Sequence, residues 1–302
     1  MISYVVDDKL RFFISVNDMT TKAAGTLYIV ATPIGNLQDF SLRAIEILKS
    51  VDRIAAEDTR HSAPLLKHYS INKPTLSIHE FNERERHAII LDYLEQGESV
   101  ALISDAGTPL ISDPGFHLVR EAKANGFTVS TVPGACALIA ALSVSGLPTN
   151  RFLFEGFLPA KSEARCNYLA RLRHATCTLI FYEAPHRVLA TLQDMMQIFG
   201  NHRYAVIARE LTKIHESVLA DTLENLIEHF NQHANQLRGE FVILVAGEDE
   251  TEAETSEVIP EQVLDILLEE LPLKQAAGLA SKITGKRKNV LYEMALAKKA
   301  GK

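Results

Sequence analysis

Apolar residues in the first half of the chain form short unbroken runs, and the stretches between them carry apolar residues at helical spacing. The runs predict five strands, TLYIVA, RIAAE, TLSI, SVALIS and TVSTV. The stretches between them predict three helices, SLRAIEILKS, NERERHAIILDYLEQ and FHLVREAKAN, with Ser41 and Asn82 as N-caps of the first two. Continuous apolar strands that alternate with amphipathic helices indicate a parallel sheet covered on both faces.

The pattern changes around Pro133, after which the strands follow one another more densely. A helix in PGACALIAALSVSG precedes five predicted strands and two clear helices, RFLFEGF, CTLIFYE, YAVIARE, ESVLAD, GEFVILVAG, SEARCNYLARLRHA and HRVLATLQDMMQIFG. These elements predict a second α/β domain with a mixed sheet. The predicted organisation is a loose leader over 1–24, an N-terminal α/β domain over 25–133, a second over 134–247, an acidic linker over 248–257 and a basic helical segment over 258–302.

Charge is distributed unevenly along a chain whose net charge is −7. Residues 248–270 hold ten acids and no Lys or Arg, whereas residues 271–302 hold eight bases and one acid. The basic segment predicts two helices separated by a TG break, with apolar positions at Leu273, Ala276, Ala277, Leu279, Ala280, Val290, Leu291, Met294 and Leu296. This pattern resembles a helix-turn-helix that contacts nucleic acid, although a solvated helical hairpin would produce it equally well.

The overall composition is that of an ordinary globular protein. The 302 residues are 47% hydrophobic and 23% charged, which is enough for two domains and an appendage. The three cysteines, Cys136, Cys166 and Cys177, form no CxxC pair, which fits a reducing cytosol and disfavours a disulfide scaffold. No apolar run approaches the roughly 20 residues that a membrane span requires, so we expect a cytoplasmic protein.

Candidate chemistry is concentrated in the loops that follow the strands, because ligands of α/β sheets bind at the carboxyl ends of strands. These loops are ATPIGNLQD, SDAGTPLISDPG, VPGACA and FYEAPHR. They match neither a dinucleotide fingerprint, a P-loop nor a zinc-protease motif, and we expect no metal. Their Gly and Pro turns present main-chain groups, which suits adenine, ribose or an amino-acid moiety. Each loop taken alone is also explained by turn chemistry.

The motifs LYIVATPIGNLQD, IAAEDTRH, ALISDAGTPLISDPG, VPGACA, GFLPAK, LIFYEAPHR, ARELTKIHE and GEFVILV together resemble the tetrapyrrole-methylase superfamily, the class III S-adenosylmethionine-dependent methyltransferases. The resemblance runs from Gly25 to Leu296. TPIGNLQD replaces the glycine-richer first loop of members that act on tetrapyrroles, and resembles the members that act on ribosomal RNA. The resemblance implies that a homodimer methylates the ribose 2′-hydroxyl of a decoding-centre cytidine in 16S rRNA of the 30S subunit.

The resemblance also implies where S-adenosylmethionine binds, which is a cleft between the two domains. The loop after the first predicted strand would contribute Pro33 and Gly35. The loops after the fourth and fifth predicted strands would contribute Asp105, Ala106, Gly107, Thr108, Pro133, Gly134 and Ala135. Phe181 and Tyr182 would approach from the second domain, where their rings could face the sulfonium. Core packing is an equally good role for Phe181.

A base would assist the reaction, because a ribose hydroxyl is a weak acid. The hypothesis assigns proton acceptance to Glu57, Asp58 or His79. It assigns RNA phosphates to Arg60, Arg187 and Lys213 in the body of the protein and to Lys286, Arg287 and Lys288 in the basic segment. Ion pairs between Glu57 and Arg60, and between Arg209 and Glu210, would instead tie loops together. Asp113 is expected to do no more than favour the start of the next helix.

Two other functions fit the same residues. The same fold could methylate a tetrapyrrole or another small acceptor. A protein that uses only its C-terminal helices could be an RNA-binding regulator without catalysis. Measurement of cofactor binding, followed by methyl transfer to candidate acceptors, separates these possibilities.

Overall fold

The structure is a computed structural model that describes residues 24–79, 83–248 and 260–300. It divides into two compact units. The N-terminal unit consists of residues 24–32 and Phe40–Gly134, and the C-terminal unit of Pro33–Asp39 and the residues from Ala135 onwards. The predicted leader, apart from Ala24, lies outside the described residues, and so do the Asn82 cap and the predicted acidic linker beyond Glu248.

The N-terminal unit is built on a five-stranded sheet in which every pairing is parallel. Its strands are β1 Thr26–Val30, β2 Arg53–Ala56, β3 Thr75–Ser77, β4 Val100–Ile103 and β5 Thr128–Val132. They lie in the order β3-β2-β4-β1-β5, so β1 and β4 are neighbours although β2 and β3 separate them along the chain. The loops that follow β1 and β4 therefore emerge side by side, at a place where α/β sheets bind ligands.

Helices cover both faces of this sheet, as the apolar runs predict. They are α1 Leu42–Ser50, α2 Thr59–His68, α3 Glu83–Glu95 and α4 Phe116–Ala124. One core cluster contains Val30, Ile54 and Ile103, and the other contains Leu27, Ala55 and Leu102, so successive residues of each strand alternate between two apolar layers. The Ser41 hydroxyl accepts the backbone N–H of Ala44 at 3.1 Å and caps α1, as predicted.

The C-terminal unit contains a mixed sheet, which confirms the predicted change in architecture. Its strands are β6 Phe152–Phe157, β7 Thr178–Glu183, β8 Tyr204–Arg209, β9 Ser217–Thr222 and β10 Phe241–Val245. They lie in the order β6-β7-β10-β8-β9. Only the β6–β7 pairing is parallel among these, and the other three are antiparallel.

One face of the mixed sheet carries the largest apolar core of the unit. The helices that share this core are α6 Ser162–Ala170, α7 Val188–Phe199 and α8 Leu223–Gln232, whereas α5 Ala137–Val144 contacts β7 and β10 outside it. Phe181, Ile207 and Ile243 on the sheet belong to the same cluster as Leu192 of α7 and Phe230 of α8. Helix α8 is absent from the sequence prediction although its N-cap is recognisable, since the Thr222 hydroxyl accepts the backbone N–H of Asn225 at 3.3 Å.

Three further helices, α9 Pro260–Glu270, α10 Leu273–Thr284 and α11 Lys288–Ala300, share a small core of their own. The break between α10 and α11 is predicted correctly: Gly285 ends α10 in the left-handed region with φ 69°. The predicted buried face is only partly right. Ala276, Ala277, Ala280 and Leu291 are buried, whereas Leu279, Val290 and Leu296 are exposed because Leu264 of α9 and Ala295 fill the core instead.

No helix among residues 24–79, 83–248 and 260–300 is long and apolar enough to cross a membrane.

Candidate active site

The loops after β1 and β4 are fastened together at the carboxyl edge of the parallel sheet. The backbone N–H of Thr32 donates to the Gly107 carbonyl at 2.8 Å, and the Gly107 N–H donates back to the Thr32 carbonyl at 3.1 Å. The Ser104 hydroxyl also donates to the Gly107 carbonyl, at 3.1 Å. Gly107 has φ 85°, a conformation that favours glycine. Its main-chain groups therefore hold the two loops in register.

The loop after β2 joins the same edge through Asp58. Its backbone N–H donates to Oδ1 of Asp105 at 3.2 Å. The Asp58 carboxylate caps α2 by accepting the Arg60 N–H at 2.8 Å, and it also forms an ion pair with the Arg60 guanidinium, with Nη2 at 2.8 Å from Oδ2. These hydrogen bonds from Arg60 lower the pKa of Asp58, so this carboxylate is a weak proton acceptor. The expected loop-tying pair is thus Asp58–Arg60 and not Glu57–Arg60.

The pKa values of Glu57 and Asp113 are raised, in contrast to that of Asp58. They line a shallow pocket together with Ile78, Leu102, Ile103, Ser104, Pro109 and Pro114. Burial, followed by repulsion from Glu57, raises the pKa of Asp113 to about 7, although a hydrogen bond from Ser104 opposes the shift. Burial and repulsion from Asp105 likewise raise the pKa of Glu57. Three carboxyl groups from the loops after β2 and β4 therefore share one partly buried region.

Asp113 corrects an expectation from the sequence. A carboxylate that stabilised the start of α4 would have a lowered pKa, whereas this one is raised. The N-cap position of α4 is Gly115, which offers no side-chain hydrogen bond. Sequence reasoning missed Asp113 as a site residue because its burial and its neighbours Glu57 and Asp105 come from contacts distant along the chain.

The segment between Asp105 and α4 has an unusual backbone. Leu110 and Ser112 have φ 73° and 70°, in the left-handed region that costs a non-glycine residue of the order of 1 kcal/mol or more. Gly115 has φ 120°, and a Cβ there would lie 2.8 Å from Cδ2 of Leu102. The fold therefore specifies the shape of this loop closely, as is common where a loop binds a ligand.

The remaining candidate cofactor loops pack tightly at glycines. A Cβ on Gly134 would lie 2.9 Å from Cβ of Ala31, so glycine allows the loop after β5 to approach β1. In the C-terminal unit, a Cβ on Gly35 would lie 2.4 Å from Cγ of Lys213. The Asn36 N–H donates to the Thr212 hydroxyl oxygen at 3.1 Å. The loop that contains Pro33 and Gly35 is therefore held by the turn after β8.

Lys213 and Arg187 have partners within the C-terminal unit, which argues against their predicted contacts with RNA phosphates. Nζ of Lys213 lies 2.9 Å from Glu210 and 3.1 Å from Glu240. The Arg187 guanidinium donates to the carbonyls of Leu158 and Pro159 at 2.6 and 3.0 Å and lies 3.1 Å from buried Glu183. The expected Arg209–Glu210 pair is replaced by Lys213–Glu210, and Nε of Arg209 donates to the Arg238 carbonyl at 2.8 Å.

The two aromatic candidates on β7 have different surroundings. Phe181 is fully buried in the core on one face of the sheet, which selects core packing for its ring. The Tyr182 hydroxyl accepts the Leu138 N–H at 3.1 Å, close to Ala135 in the loop before α5. Its ring packs edge-on against Phe154 and Phe157. The C-terminal unit therefore holds Tyr182 close to Ala135, which ends the loop after β5.

Exposed cations remain at other predicted positions. The Arg60 side chain is 89% exposed despite its ion pair with Asp58. Lys286, Arg287 and Lys288 are exposed at the connection between α10 and α11 and at the start of α11. His79 is half-buried, two residues after the end of β3.

Comparison with known families identifies the class of protein that this fold and site define. A model of the Tetrapyrrole (Corrin/Porphyrin) Methylases matches residues 26–227, and a model of the RsmI C-terminal HTH domain matches residues 252–299. The chain therefore belongs to the tetrapyrrole methylase family.

Closer relatives define the branch of that family. The chain is 56% identical over 277 residues to ribosomal RNA small subunit methyltransferase I of Pseudomonas aeruginosa, an alignment that covers 91% of this chain and 98% of the relative. It is 47% identical over 275 residues to the Escherichia coli O157:H7 protein of the same name, covering 90% and 95%. Within the family, the chain belongs to the ribosomal RNA small subunit methyltransferase I group.

More distant solved structures show the same fold. Diphthine synthase superposes with a TM-score of 0.60 at 18% identity, covering 74% of this chain and 90% of that one. A uroporphyrin-III C-methyltransferase from Thermus thermophilus, complexed with S-adenosyl homocysteine, gives a TM-score of 0.51 at 18% identity, covering 74% and 97%.

Proposed function

We propose that the chain transfers a methyl group from S-adenosylmethionine to the ribose 2′-hydroxyl of cytidine 1402 in 16S rRNA of the small ribosomal subunit. The observation that carries the proposal is the extent of the similarity. Proteins named ribosomal RNA small subunit methyltransferase I align over about nine-tenths of the chain, and the family match includes the C-terminal helices. A ribosomal substrate implies action in the cytoplasm. A homodimer, implied by the resemblance, is part of the proposal.

The residues present fit a cationic cofactor. Burial raises the pKa of Glu57 and Asp113, repulsion among Glu57, Asp105 and Asp113 adds to it, and a nearby positive charge would relieve that repulsion. S-adenosylmethionine carries a sulfonium and an ammonium group, and when bound it supplies an electrophilic methyl group. We assign its binding to Asp105, Ala106, Thr108, Pro133 and Gly134 of the N-terminal unit, and to Pro33, Gly35, Ala135 and Tyr182 of the C-terminal unit. Gly107 holds the loops after β1 and β4 in register, and Phe181 lies in the core of the C-terminal unit.

Among the candidate proton acceptors, we propose Glu57. Its raised pKa brings it closer to neutral pH, where a base accepts a proton most effectively. Asp58 is unsuited because Arg60 stabilises its charged form. Asp113, whose pKa is about 7, can hold a proton next to Glu57 and so reduce the repulsion that disfavours ionised Glu57. Alignment of the ribose oxygen with the methyl group supplies much of the acceleration.

Transfer of tritium from labelled S-adenosylmethionine tests the proposed activity. We expect label to enter 30S subunits or 16S rRNA and not a tetrapyrrole, and mapping by reverse-transcription stops should place it at one ribose. Labelling of the tetrapyrrole alone would support the other enzyme class. Absence of cofactor binding in calorimetry would support a regulator without catalysis.

Single-turnover measurements with saturating cofactor test the base. Glu57→Gln should slow methyl transfer about 100-fold or more, which is the contribution typical of a general base. Asp58→Asn is the matched control, since asparagine retains an oxygen that can cap α2. It should transfer methyl at close to the wild-type rate. A Glu57→Gln enzyme of normal rate would show that positioning alone carries the step.

A further inference from the structure

An exposed aromatic ring stands at the start of α4, directly after the loop that contains Asp105 and Asp113. Phe116 is 60% exposed. The guanidinium carbon of Arg120 lies 5.6 Å from the centre of its ring, and the His117 ring meets it edge-on at 5.4 Å. Nη2 of Arg120 is 3.3 Å from Nδ1 of His117. We refer to Phe116, His117 and Arg120 as the α4 cluster.

Packing of the fold does not account for this arrangement. Helix α4 contributes Leu118 and Ala122 to the core of the N-terminal unit, and both are fully buried. Burial of a phenylalanine side chain stabilises a protein relative to exposure, so an exposed ring forgoes that gain. The backbone before the ring is closely packed, because Gly115 lies against Leu102 of β4. A single exposed apolar side chain is ordinary on a protein surface, so the inference depends on the groups that surround this ring.

The composition of the cluster indicates the kind of partner. Proteins bind single-stranded RNA by stacking unpaired bases on aromatic rings and on arginine guanidinium planes, and arginine also attracts the phosphates. The cluster offers both an aromatic face and a guanidinium group. It also follows immediately the loop to which the proposed function assigns the cofactor, so a nucleotide beside the methylated ribose would come close to it.

We propose that the α4 cluster is a stacking platform for an unpaired nucleobase of the RNA substrate. The inference deepens the proposed function and rests on it for the identity of the substrate. Phe116 would stack on the base while Arg120 neutralises an adjacent phosphate. The cluster would thereby favour single-stranded RNA over a paired helix and over any acceptor without bases.

A tryptophan reporter tests the contact directly, because the chain contains no tryptophan. Phe116→Trp places a single fluorophore in the cluster while it keeps an aromatic face. Saturation with a short single-stranded ribo-oligonucleotide containing the target cytidine should quench its emission. Tyr204→Trp is the matched control, since Tyr204 is another exposed aromatic residue, at the start of β8 in the C-terminal unit. Its emission should not change, and unchanged emission of Phe116→Trp when labelled RNA is bound would overturn the inference.

Activity measurements provide a second test. Phe116→Ala should reduce kcat/KM for the RNA substrate about tenfold, as expected for the loss of one stacked base, mainly through KM. Phe116→Tyr should retain activity, Tyr204→Ala should match the wild type, and cofactor affinity should be the same in all four proteins. Wild-type kcat/KM in Phe116→Ala would overturn the inference.

The outcomes for the cluster and for the proposed function are distinguishable. If the wild type methylates no RNA but the oligonucleotide quenches Phe116→Trp, the proposed function fails and the platform stands. If methylation occurs without quenching, the function stands and the platform fails. If Phe116→Ala changes sedimentation while its affinity for RNA equals that of the wild type, the ring contacts a second copy of the chain, which also overturns the inference.

Discussion

The pKa of Asp113 lies near neutral pH because its surroundings disfavour its charge. Its pKa rises from the ordinary value of 3.8 to about 7, through burial and through repulsion from Glu57 and Asp105. Between these two values the folded state binds more protons than the unfolded state, so Asp113 makes stability fall as pH rises. Above pH 7 the full cost of ionising it is present, of the order of 1–2 kcal/mol once solvent screening of this half-buried group is allowed for.

Asp113→Asn should therefore be stabilised relative to the wild type at pH 8 and much less so at pH 5. Asparagine has a similar shape and no charge, so the variant should lack the decline in stability between these values. Thermal unfolding of both proteins from pH 5 to 8 measures the difference.

Asp221→Asn is the matched control with the opposite sign. Hydrogen bonds from Asn225 and the Thr222 N–H lower the pKa of Asp221, so its charged form is favoured in the fold. That contribution is fully present above the unfolded pKa and disappears only at acid pH. Between pH 5 and 8, Asp221→Asn should be less stable than the wild type by a constant amount. A constant offset for Asp113→Asn as well would contradict the raised pKa.

At the scale of helices and strands, the sequence predicts those elements whose burial leaves a clear pattern of apolar residues. The five strands of the N-terminal unit are recognisable because both faces are covered, which leaves continuous apolar runs such as VALI in β4. Helix α2 is missed because Pro64 lies inside it and its first turn is polar, so that its N-cap Asp58 is the main signal. In α11 the helix itself is predicted, but Val290 and Leu296, which were expected to be buried, are exposed. Helical spacing locates a helix, but the partner helix decides which apolar residues are buried.

The candidate site divides in the same way. Its loops are predictable because ligand loops follow strands, and glycines such as Gly134 mark close approaches in the chain itself. The roles of the charged residues cannot be predicted from the sequence, because they depend on partners that are distant along the chain. Lys213 and Arg187 are basic residues in loops that follow strands, yet Lys213 forms an ion pair with Glu240 and Arg187 donates to the Leu158 carbonyl.

The turn after β8 gives a prediction at this scale. Burial opposes the charge of Lys213, but hydrogen bonds from its ammonium group to Glu210 and Glu240 outweigh it and raise its pKa. Lys213→Met should destabilise the protein by about 2 kcal/mol, less than for a fully buried pair, because it leaves Glu210 partly buried without its cation. It should also weaken cofactor binding, since Lys213 packs against Gly35 in the first loop.

A phosphate contact by Lys213 would have a different signature. It would reduce the dependence of RNA affinity on salt by about one unit of slope. We expect Lys213→Met to keep the wild-type slope, measured by fluorescence anisotropy of labelled RNA between low and high salt. A reduced slope with unchanged thermal stability would restore Lys213 to the RNA interface.

At the scale of the whole molecule, the main feature is a basic segment on an acidic chain. The net charge of −7 repels RNA at long range, so favourable contacts must be local. Helices α9, α10 and α11 share one core, in which Leu264 of α9 packs with residues of the other two. Removal of residues 271–302 would expose that core, so substitution of surface charges is the cleaner test.

The triple variant Lys286→Gln, Arg287→Gln and Lys288→Gln removes three exposed charges and no residue of the shared core. If each cation contacts a phosphate, the slope of log affinity against log salt should decrease by roughly 2–3 for RNA. The control is a triple variant with glutamine at Lys49, Lys67 and Lys123, which has the same change in net charge. These lysines lie in the last turns of α1, α2 and α4, away from the carboxyl edge of the sheet. The control should keep the wild-type slope, because only net charge changes. Equal slopes for the two triple variants would show that the basic segment acts through net charge alone, and would remove it from the RNA interface.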